Sequence, residues 1–323
     1  MGTCTTARHR GHQNAEIIRG FMTIHLAIAF DQNYLSPFYA LLMSILEHNR
    51  KNKIVVHAII TGVTDKAQQD IRTLIQQHNG DIHFYEIDQQ FVSKFVLVSK
   101  WTAAVYYRLF FPFVISPDVK RLLYIDTDVL VVNDLSELYN QNIDPYPVGA
   151  VYDNYVKTAP QLGITEDGNY FNSGMLLMDI DKWKEQQISE KAMQFLADYP
   201  EKIQFVDQDA LNAVLKNNWK KLDWKYNTMY SCIPQDIRKD QLDSFIKDKV
   251  VLHFTLQRPW NTLCRNRYRD LYHHYLQISP AENKQKYTDY NSSKIVPLLK
   301  LRALEFYFDH PGIQTLWRAV ARK

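Results

Sequence analysis

Two aspartates that follow a predicted buried strand have the type and spacing of metal ligands. Asp126 and Asp128 interrupt an apolar run that covers 122–125 and resumes at 129–132. In an extended chain the i, i+2 spacing places both carboxylates on one face, where they repel each other unless a cation neutralises them. Carboxylate oxygens suit Mn²⁺ or Mg²⁺, which also bridge phosphates. The stretch therefore predicts a metal–diphosphate site; the alternative is a loop in which two solvated aspartates follow a core strand.

The elements that must position this pair are predicted by hydrophobic periodicity. Apolar runs at 24–30, 54–60 and 82–87 predict strands, and helical spacing at 39–48 and 65–78 predicts helices between them. A β-α-β-α-β order favours a parallel sheet with right-handed crossovers. The sequence has neither a G-x-G-x-x-G after the first strand nor a P-loop, which argues against a dinucleotide oxidoreductase and a P-loop enzyme.

Polar residues beside the later apolar runs are further candidates. A helix predicted over 103–113 carries Arg108, which either snorkels or contacts a phosphate or the aspartate pair. Asp153 follows a strand over 148–151, and 172–174 lies just before an apolar strand. Three more candidates are Asp207 and Gln208, which open a helix, and His253, which ends a strand over 249–254.

The composition indicates a folded chain of 323 residues with 46% hydrophobic residues. A net charge of +3 is too small to indicate nucleic-acid binding. The cysteines at 4, 232 and 264 are odd in number and widely spaced, which fits a reducing compartment. No stretch of about 18 apolar residues predicts a membrane-spanning helix. Residues 1–21 lack the apolar region of a signal peptide, and we expect them to be a disordered or added extension upstream of a natural start at Met22.

A series of segments resembles glycosyltransferase family 8 in its order along the chain. The segments are IAFDQNY, VYYRLFFP, YIDTDVLV, YFNSGMLLM, FVDQDALN and HFTLQRPW. The chain is similar to the bacterial retaining hexosyltransferases of that family, which add galactose or glucose to lipopolysaccharide or lipooligosaccharide. The resemblance implies an α/β fold of the GT-A type, with a single Rossmann-like, mostly parallel sheet and flanking helices. It also implies a UDP-sugar (UDP-hexose) donor, a bound Mn²⁺, with Mg²⁺ as the alternative, and a saccharide acceptor that is lipid-linked.

The resemblance assigns roles to residues at matching positions. Asp126, Asp128 and His253 would hold the metal, with Thr127 between the two aspartates at the same donor site. Arg258 would clamp the β-phosphate. The remaining assignments are Phe30, Asp31 and Asn33 at the uracil and ribose, Arg108, Asp153 and Asn172 around the donor sugar, and Gln208, with Asp207 beside it, near the anomeric carbon.

The mechanism and one motif leave alternatives open. Retention by double displacement needs a carboxylate nucleophile, whereas the matching residue, Gln208, is an amide. This favours front-face substitution, with Asp153 and Asp207 remaining as alternative nucleophiles. The segment from His253 to Trp260 is one residue shorter than the family pattern, lacks its glycine and has Arg258 in place of lysine. The roles of Leu256 and Gln257 are therefore open.

We expect a catalytic domain over 22–270 and a helical, basic and aromatic region over 271–323. The basic amphipathic tail from Ile313 to Lys323 either lies on an anionic membrane or packs on the catalytic domain. The expected location is the cytoplasm, with or without peripheral contact to the inner face of the cytoplasmic membrane. Candidate acceptor contacts are 100–102 and 155–168.

Two functions compete with that of the transferase. One is a non-catalytic sugar-nucleotide or glycan-binding protein of the same fold, against which the intact metal-binding residues argue. The other is a metal-dependent phosphohydrolase, which would need further carboxylates for a second metal. Within the transferase hypothesis, the acceptor is alternatively a protein-linked glycan or a polysaccharide primer.

Overall fold

The computed structural model describes residues 22–87 and 103–313. The expected N-terminal extension, the acceptor candidates at 100–102 and the tail beyond residue 313 lie outside these residues. The strands are β1 (Thr23–Asp31), β2 (Lys53–Thr61), β3 (Asp81–Glu86), β4 (Arg121–Ile125), β5 (Val129–Val131), β6 (Val148–Tyr152), β7 (Phe171–Asp179), β8 (Lys220–Leu222), β9 (Thr228–Met229) and β10 (Val251–His253).

Helices of two kinds connect the strands. The α-helices are α1 (Leu35–His48), α2 (Asp65–Gln77), α3 (Phe111–Val114), α4 (Ser136–Tyr139), α5 (Ile180–Glu185), α6 (Ile188–Asp198), α7 (Val206–Val214), α8 (Leu242–Ile246), α9 (Arg269–Ile278) and α10 (Ile295–Asp309). The 3-10 helices are Gln32–Tyr34, Ala103–Leu109, Pro160–Leu162, Pro200–Lys202, Trp224–Tyr226, Tyr230–Cys232, Lys239–Gln241 and Ser292–Lys294.

The main sheet has seven strands in the order β3-β2-β1-β4-β7-β6-β8. Strands β3, β2, β1 and β4 are parallel, and β7 runs antiparallel to both of its neighbours. The predicted mostly parallel α/β sheet is confirmed. A second sheet, of order β5-β10-β9, was not predicted.

Helices cover both faces of the main sheet because alternate strand residues point in opposite directions. On β1, Leu26 and Ile28 pack in the same core cluster as Phe38 of α1. Ala27, between them, packs in the other cluster with Tyr107 and Phe110. This two-sided burial explains why β1 reads as a continuous apolar run.

The structure corrects three predicted elements. The helix predicted over 103–113 is a 3-10 helix over Ala103–Leu109 followed by the short helix α3, which has a proline in its first turn. The apolar run around the aspartate pair is two strands, β4 in the main sheet and β5 in the small one. Residues 172–174 lie within β7 rather than before it, because a register shift in β6 lets Val151 pair with Asn172.

The C-terminal part of the described chain is helical. Helix α9 begins at Arg269 and packs against α1, and α10 follows after a loop. No helix of the described residues is both long and apolar enough to cross a membrane.

Candidate active site

The predicted site residues gather where β1 and β4 end, side by side in the main sheet. The chain leaves β1 for β2 and β3 on one side and returns to β4 on the other. Where connections diverge in this way, a crevice forms beyond the carboxyl ends of the strands, and α/β proteins bind ligands there. Asp31 ends β1, and Asp126 directly follows β4.

Asp126, Asp128 and His253 converge as the sequence predicts. Each offers one ligand atom, and these atoms lie within 4.8 Å of one another. His253 Nε2 is 3.2 Å from Asp128 Oδ1. Burial opposes charge on both groups, but their mutual attraction raises the pKa of His253 and lowers that of Asp128. Two carboxylates and an imidazole are a donor set that fits Mn²⁺.

The small sheet brings His253 to the aspartate pair. Strand β5 starts immediately after Asp128, and β10 pairs antiparallel with it, so that His253 lies opposite Val129. The backbone N–H of Phe254 donates to the carbonyl of Asp128 at 2.9 Å. The chain leaves the main sheet after Ile125 and enters the small sheet at Val129. The aspartates between the two strands therefore form one side of a candidate three-ligand site, and His253 forms the other.

Gly174 makes this convergence sterically feasible. A Cβ atom at this position would lie 2.3 Å from His253 Cε1 and 2.8 Å from Asp126 Oδ2. The φ angle of Gly174 is outside the left-handed region, so the need for glycine is steric rather than conformational. A space that a methyl group would fill, walled by two candidate ligands, supports a metal-binding site.

Arg108 is buried and joins two carboxylates. Its guanidinium lies 3.1 Å from Asp126 Oδ1 and 2.6 Å from Asp207 Oδ2, and it donates to the carbonyl of Ser173 at 2.5 Å. Burial opposes its charge, but the two aspartates outweigh that effect and raise its pKa. Arg108 therefore lies in an ion-pair network with the aspartate pair, as one of the two sequence-based interpretations held, and it does not snorkel.

Asp207 is more deeply buried than Asp126, Asp128 and Asp153. Its side chain is 4% exposed, and burial raises the pKa of its carboxyl to about 7 although Arg108 acts in the opposite direction. Since its Oδ2 faces Arg108, the Asp207 carboxylate is an ion-pair partner of the arginine in this structure.

Gln208, Asp153 and Asn172 form one hydrogen-bonded cluster. The Gln208 amide donates from Nε2 to Asp153 Oδ2 at 3.2 Å, and its Oε1 accepts from the Ser173 N–H at 3.0 Å. Asn172 Nδ2 donates to the same Asp153 oxygen at 3.1 Å. Tyr170 donates to Asp209 at 2.6 Å and accepts from Gln208 Nε2 at 3.2 Å. The orientation of the Gln208 amide is thus set by its neighbours.

Comparison with known proteins decides the family. Residues 25–264 match the sequence profile of glycosyl transferase family 8. The chain belongs to this family.

Relatives of this family 8 enzyme include proteins with named activities. It is 30% identical to general stress protein A of Bacillus subtilis over 79% of this chain and 94% of that protein. It is 29% identical to a lipopolysaccharide 1,2-glucosyltransferase of Escherichia coli over 81% and 80% of the two chains. It is 27% identical to a lipopolysaccharide 1,3-galactosyltransferase of Salmonella typhimurium over 74% and 73%.

Solved structures support the fold. Galactosyltransferase LgtC, in complex with donor and acceptor sugar analogs, aligns with a TM-score of 0.68 at 22% identity, over 80% of this chain and 98% of that one. The predicted GT-A fold and the predicted membership of family 8 are both confirmed.

The residues assigned to uracil and ribose take different positions in the transferase. The Asp31 carboxylate accepts from the backbone N–H groups of Asn33 and Tyr34 at 2.8 and 3.2 Å. Asn33 is exposed. Phe30 is 1% exposed, and its ring stacks on Phe38 in the core, so its side chain is not available to a ligand. Thr127 is 8% exposed.

The segment that departs from the family pattern carries an unusual backbone conformation. Leu256, in the segment that lacks the family glycine, has a φ of 61° and is 66% exposed. The left-handed region favours glycine, so Leu256 is strained. Arg258 follows with its Nε 3.9 Å from Asp128 Oδ2 and its guanidinium 5.8 Å from the Tyr34 ring. The arginine therefore lies beside the candidate metal-binding residues with a side chain 41% exposed.

A second strained residue precedes Asp207. Val206, the first residue of α7, has a φ of 50°, which is rare for a β-branched side chain. Such strain occurs where surrounding contacts fix the backbone, frequently at functional sites. Here it lies directly before the two residues that the resemblance to family 8 assigns near the anomeric carbon.

Sequence reasoning missed several residues that hold this site together. Gly174 and Ser173 lie in a quoted motif, but their neighbours His253 and Arg108 belong to other elements, a strand and a 3-10 helix. Tyr34 directly follows the assigned nucleotide residues and faces Arg258 and Trp260. Asn227 lies in no motif and is 0% exposed. The sequence shows it only as an amide directly after the aromatic stretch 224–226.

Proposed function

We propose that this family 8 enzyme transfers galactose or glucose from a UDP-sugar to a saccharide acceptor, retains the anomeric configuration to form an α linkage, and depends on Mn²⁺ or Mg²⁺. One observation carries the proposal: the crevice places Asp126, Asp128 and His253 beside the hydrogen-bonded cluster of Asp153, Asn172 and Gln208. The first group suits a metal–diphosphate and the second suits the hydroxyls of a sugar.

Each part of the crevice has a role in this proposal. A bound Mn²⁺ would supply Lewis acidity to the departing diphosphate. Arg258 binds the β-phosphate, since it is the half-exposed cation next to Asp128. Arg108 holds Asp126 in place, and Asp31 and Asn33 contact the nucleoside. Asp153 and Asn172 bind hydroxyls of the donor sugar.

The contacts of the carboxylates support front-face substitution. The Asp207 side chain is 4% exposed and lies 2.6 Å from Arg108. Asp153 accepts hydrogen bonds from Asn172 and Gln208 and from the backbone N–H of Tyr155. Neither is a free carboxylate aimed at a sugar, and Gln208 is a poor nucleophile. The dipole of the Gln208 amide instead stabilises positive charge that develops on the ring.

The named activities of the relatives support an acceptor in the lipopolysaccharide or lipooligosaccharide core. Residues 155–168, with Tyr155 62% exposed, remain a candidate acceptor contact. Among the residues described, one group of three metal-ligating side chains is found. This gives no support to a phosphohydrolase with two metals.

Donor hydrolysis tests the proposal. UDP-glucose and UDP-galactose are each incubated with the protein in the presence of Mn²⁺, Mg²⁺ or EDTA, and release of UDP is measured. We expect metal-dependent release from one donor, reduced by roughly 100-fold or more in Asp128→Ala, since a ligand of the metal is lost. Asp240→Ala removes an exposed aspartate paired with Arg238 and should match the wild type.

Two other outcomes have distinct meanings. No hydrolysis together with no metal-dependent binding of UDP in calorimetry contradicts the enzyme and favours a non-catalytic binding protein. Metal-dependent binding of the donor without hydrolysis calls for a second assay with lipopolysaccharide core acceptors; no transfer to any of them would contradict the proposed acceptor class.

We also propose that α10 contacts an anionic membrane on the cytoplasmic side, where a lipid-linked acceptor would be presented. This helix is oriented with charged residues inward: Glu305 pairs with Arg269 at 2.7 Å, and Asp309 with Arg267 at 2.8 Å. Its outward side carries Val296, Leu299 and Phe306, which are 59%, 63% and 55% exposed. An apolar helix face that also carries basic residues, such as the exposed Lys300, fits the surface of an anionic bilayer.

Vesicle sedimentation tests this contact. Phe306→Gln should lower the bound fraction on phosphatidylglycerol vesicles about threefold or more, because it removes buried apolar area from the contact. Phe113→Gln is the matched control, since Phe113 is 48% exposed on α3. Equal binding of both variants and the wild type, or no binding at all, would contradict the membrane role of α10.

A further inference from the structure

Asn227 is a buried amide between the two halves of the site. It lies between the 3-10 helix Trp224–Tyr226 and β9, and its side chain is 0% exposed. It hydrogen-bonds to His253 Nδ1 through its Oδ1 at 2.9 Å and donates from its Nδ2 to Asn172 Oδ1 at 2.9 Å. Its two partners are a candidate metal ligand and a candidate sugar contact.

The hydrogen-bond directions in this chain follow from one backbone group. The N–H of Gly174, which can only donate, bonds to Asn172 at 3.0 Å, so the acceptor atom is Asn172 Oδ1. That oxygen can then only accept from Asn227, whose NH₂ group must face it. The carbonyl oxygen of Asn227 is left for His253, and His253 Nδ1 must therefore carry a proton.

This arrangement determines which nitrogen of His253 faces the aspartates. With Nδ1 protonated and bonded to Asn227, the other nitrogen, Nε2, points to Asp128 at 3.2 Å. A neutral imidazole binds a metal through its unprotonated nitrogen. In metal sites, the partner of the second ring nitrogen orients the ring and fixes the tautomer.

We propose that Asn227 is a positioning residue that fixes the metal-binding tautomer of His253 and ties it to Asn172, so that metal binding and recognition of the donor sugar are coupled. This rests on the proposed function, since it requires a metal on His253 and a sugar near Asn172. Asn227 itself touches neither.

Two substitutions separate the two roles. Asn227→Leu keeps the approximate volume and removes both hydrogen bonds. Asn227→Asp keeps an acceptor for His253 Nδ1–H but turns a carboxylate oxygen towards Asn172 Oδ1, which is itself an acceptor. Asn52→Leu is the control, since Asn52 is 6% exposed and bonds Asp134 and Ser136 at 3.2 and 2.9 Å, none of which belongs to the site.

The first measurement is the affinity for Mn²⁺ in the absence of donor, determined by electron paramagnetic resonance. We expect Asn227→Leu to bind Mn²⁺ roughly 10- to 100-fold more weakly than the wild type, and Asn227→Asp within about threefold of it. Asn52→Leu should lose stability and keep the affinity. Wild-type binding by Asn227→Leu, or equal weakening in both Asn227 variants, would overturn the role in orienting His253.

The second measurement is the affinity for UDP and for the preferred UDP-sugar, each determined by calorimetry with saturating Mn²⁺. In the wild type the sugar should add affinity over UDP, and in Asn227→Asp this increment should disappear while the affinity for UDP remains. An unchanged ratio would overturn the coupling, and this comparison stands even if the leucine variant does not fold. Absence of Mn²⁺ binding by the wild type would instead contradict the proposed function.

Discussion

Gly174→Ala is expected to abolish metal binding and transferase activity while the fold survives. The new methyl group would lie 2.3 Å from His253 Cε1 and 2.8 Å from Asp126 Oδ2, closer than non-bonded atoms approach. Because the Gly174 carbonyl accepts a hydrogen bond from the backbone N–H of Asp126 at 2.9 Å, the Gly174 backbone is tied to the segment that carries one candidate ligand, and we expect the two ligand side chains to move. Loss of ligand geometry should weaken Mn²⁺ binding by roughly 100-fold or more, with a stability cost of about 1–3 kcal/mol for overpacking.

Gly149→Ala is a matched control in a neighbouring strand. A methyl group there would lie 2.8 Å from Ile143 Cγ2 and 3.1 Å from Leu222 Cδ1, so it overpacks the apolar core instead of the site. We expect a comparable loss of stability in urea unfolding but wild-type binding of Mn²⁺. If both alanine variants bind Mn²⁺ as the wild type does, the close packing around Gly174 has no role in the metal site.

The chemistry of this site was partly predictable from local sequence. Residue type and spacing alone made Asp126 and Asp128 candidates, since two carboxylates on one face repel each other unless a cation neutralises them, and two solvated aspartates in a loop would give the same pattern. His253 follows β5 by more than a hundred residues, and only the resemblance to family 8 placed it with the aspartates. The structure supplies the physical reason, which is that β10 pairs with β5 and not with any strand of the main sheet.

Other features depend on topology and could not be read from local pattern. The apolar run around Asp126 has the same periodicity whether it forms one strand or two, so the change of sheet leaves no signal. Arg108 is an arginine among apolar residues in the sequence; that it pairs with Asp126, after β4, and with Asp207, in α7, emerges only in the folded structure. Asn227 acts by bonding to residues distant in sequence, and an amide carries no pattern that identifies such partners.

The fold and the site thus differ in how the sequence determines them. The continuous apolar run of β1 is a property of the strand itself, because both of its faces are buried. Runs of this kind made the main sheet predictable. The positioning contacts of Gly174, Ser173 and Asn227 arise where elements meet. Their importance is set by distances of about 3 Å between elements, and those distances are not encoded in periodicity.

Arg108→Met is expected to be among the most destabilising substitutions in this protein. It leaves Asp207, 4% exposed, and Asp126 without their buried cation. Removing one partner of a buried ion pair costs about 3–5 kcal/mol, because the remaining charge is uncompensated. Urea unfolding should show this loss as a lower midpoint at unchanged slope, and activity should be lost because Asp126 is no longer held.

The pH dependence of that loss has a defined sign. Burial raises the pKa of Asp207 to about 7 even beside Arg108, and removing the arginine raises it further. The folded variant then binds a proton that the unfolded chain releases above about pH 4, so its stability must fall as pH rises. We expect Arg108→Met to lose less stability, relative to the wild type, at about pH 6 than at about pH 8.

The double variant Arg108→Met/Asp207→Asn separates structure from chemistry. Asparagine removes one buried charge, so the double variant should recover about half or more of the stability that Arg108→Met loses. Activity should stay lost, since Asp126 still lacks its partner. If Asp207 were the nucleophile, Asp207→Asn alone would abolish donor turnover at every pH and leave no residual rate. If Asp207 serves to hold Arg108, the single variant should keep a measurable rate and lose stability instead, because it removes the buried charge that pairs with the guanidinium.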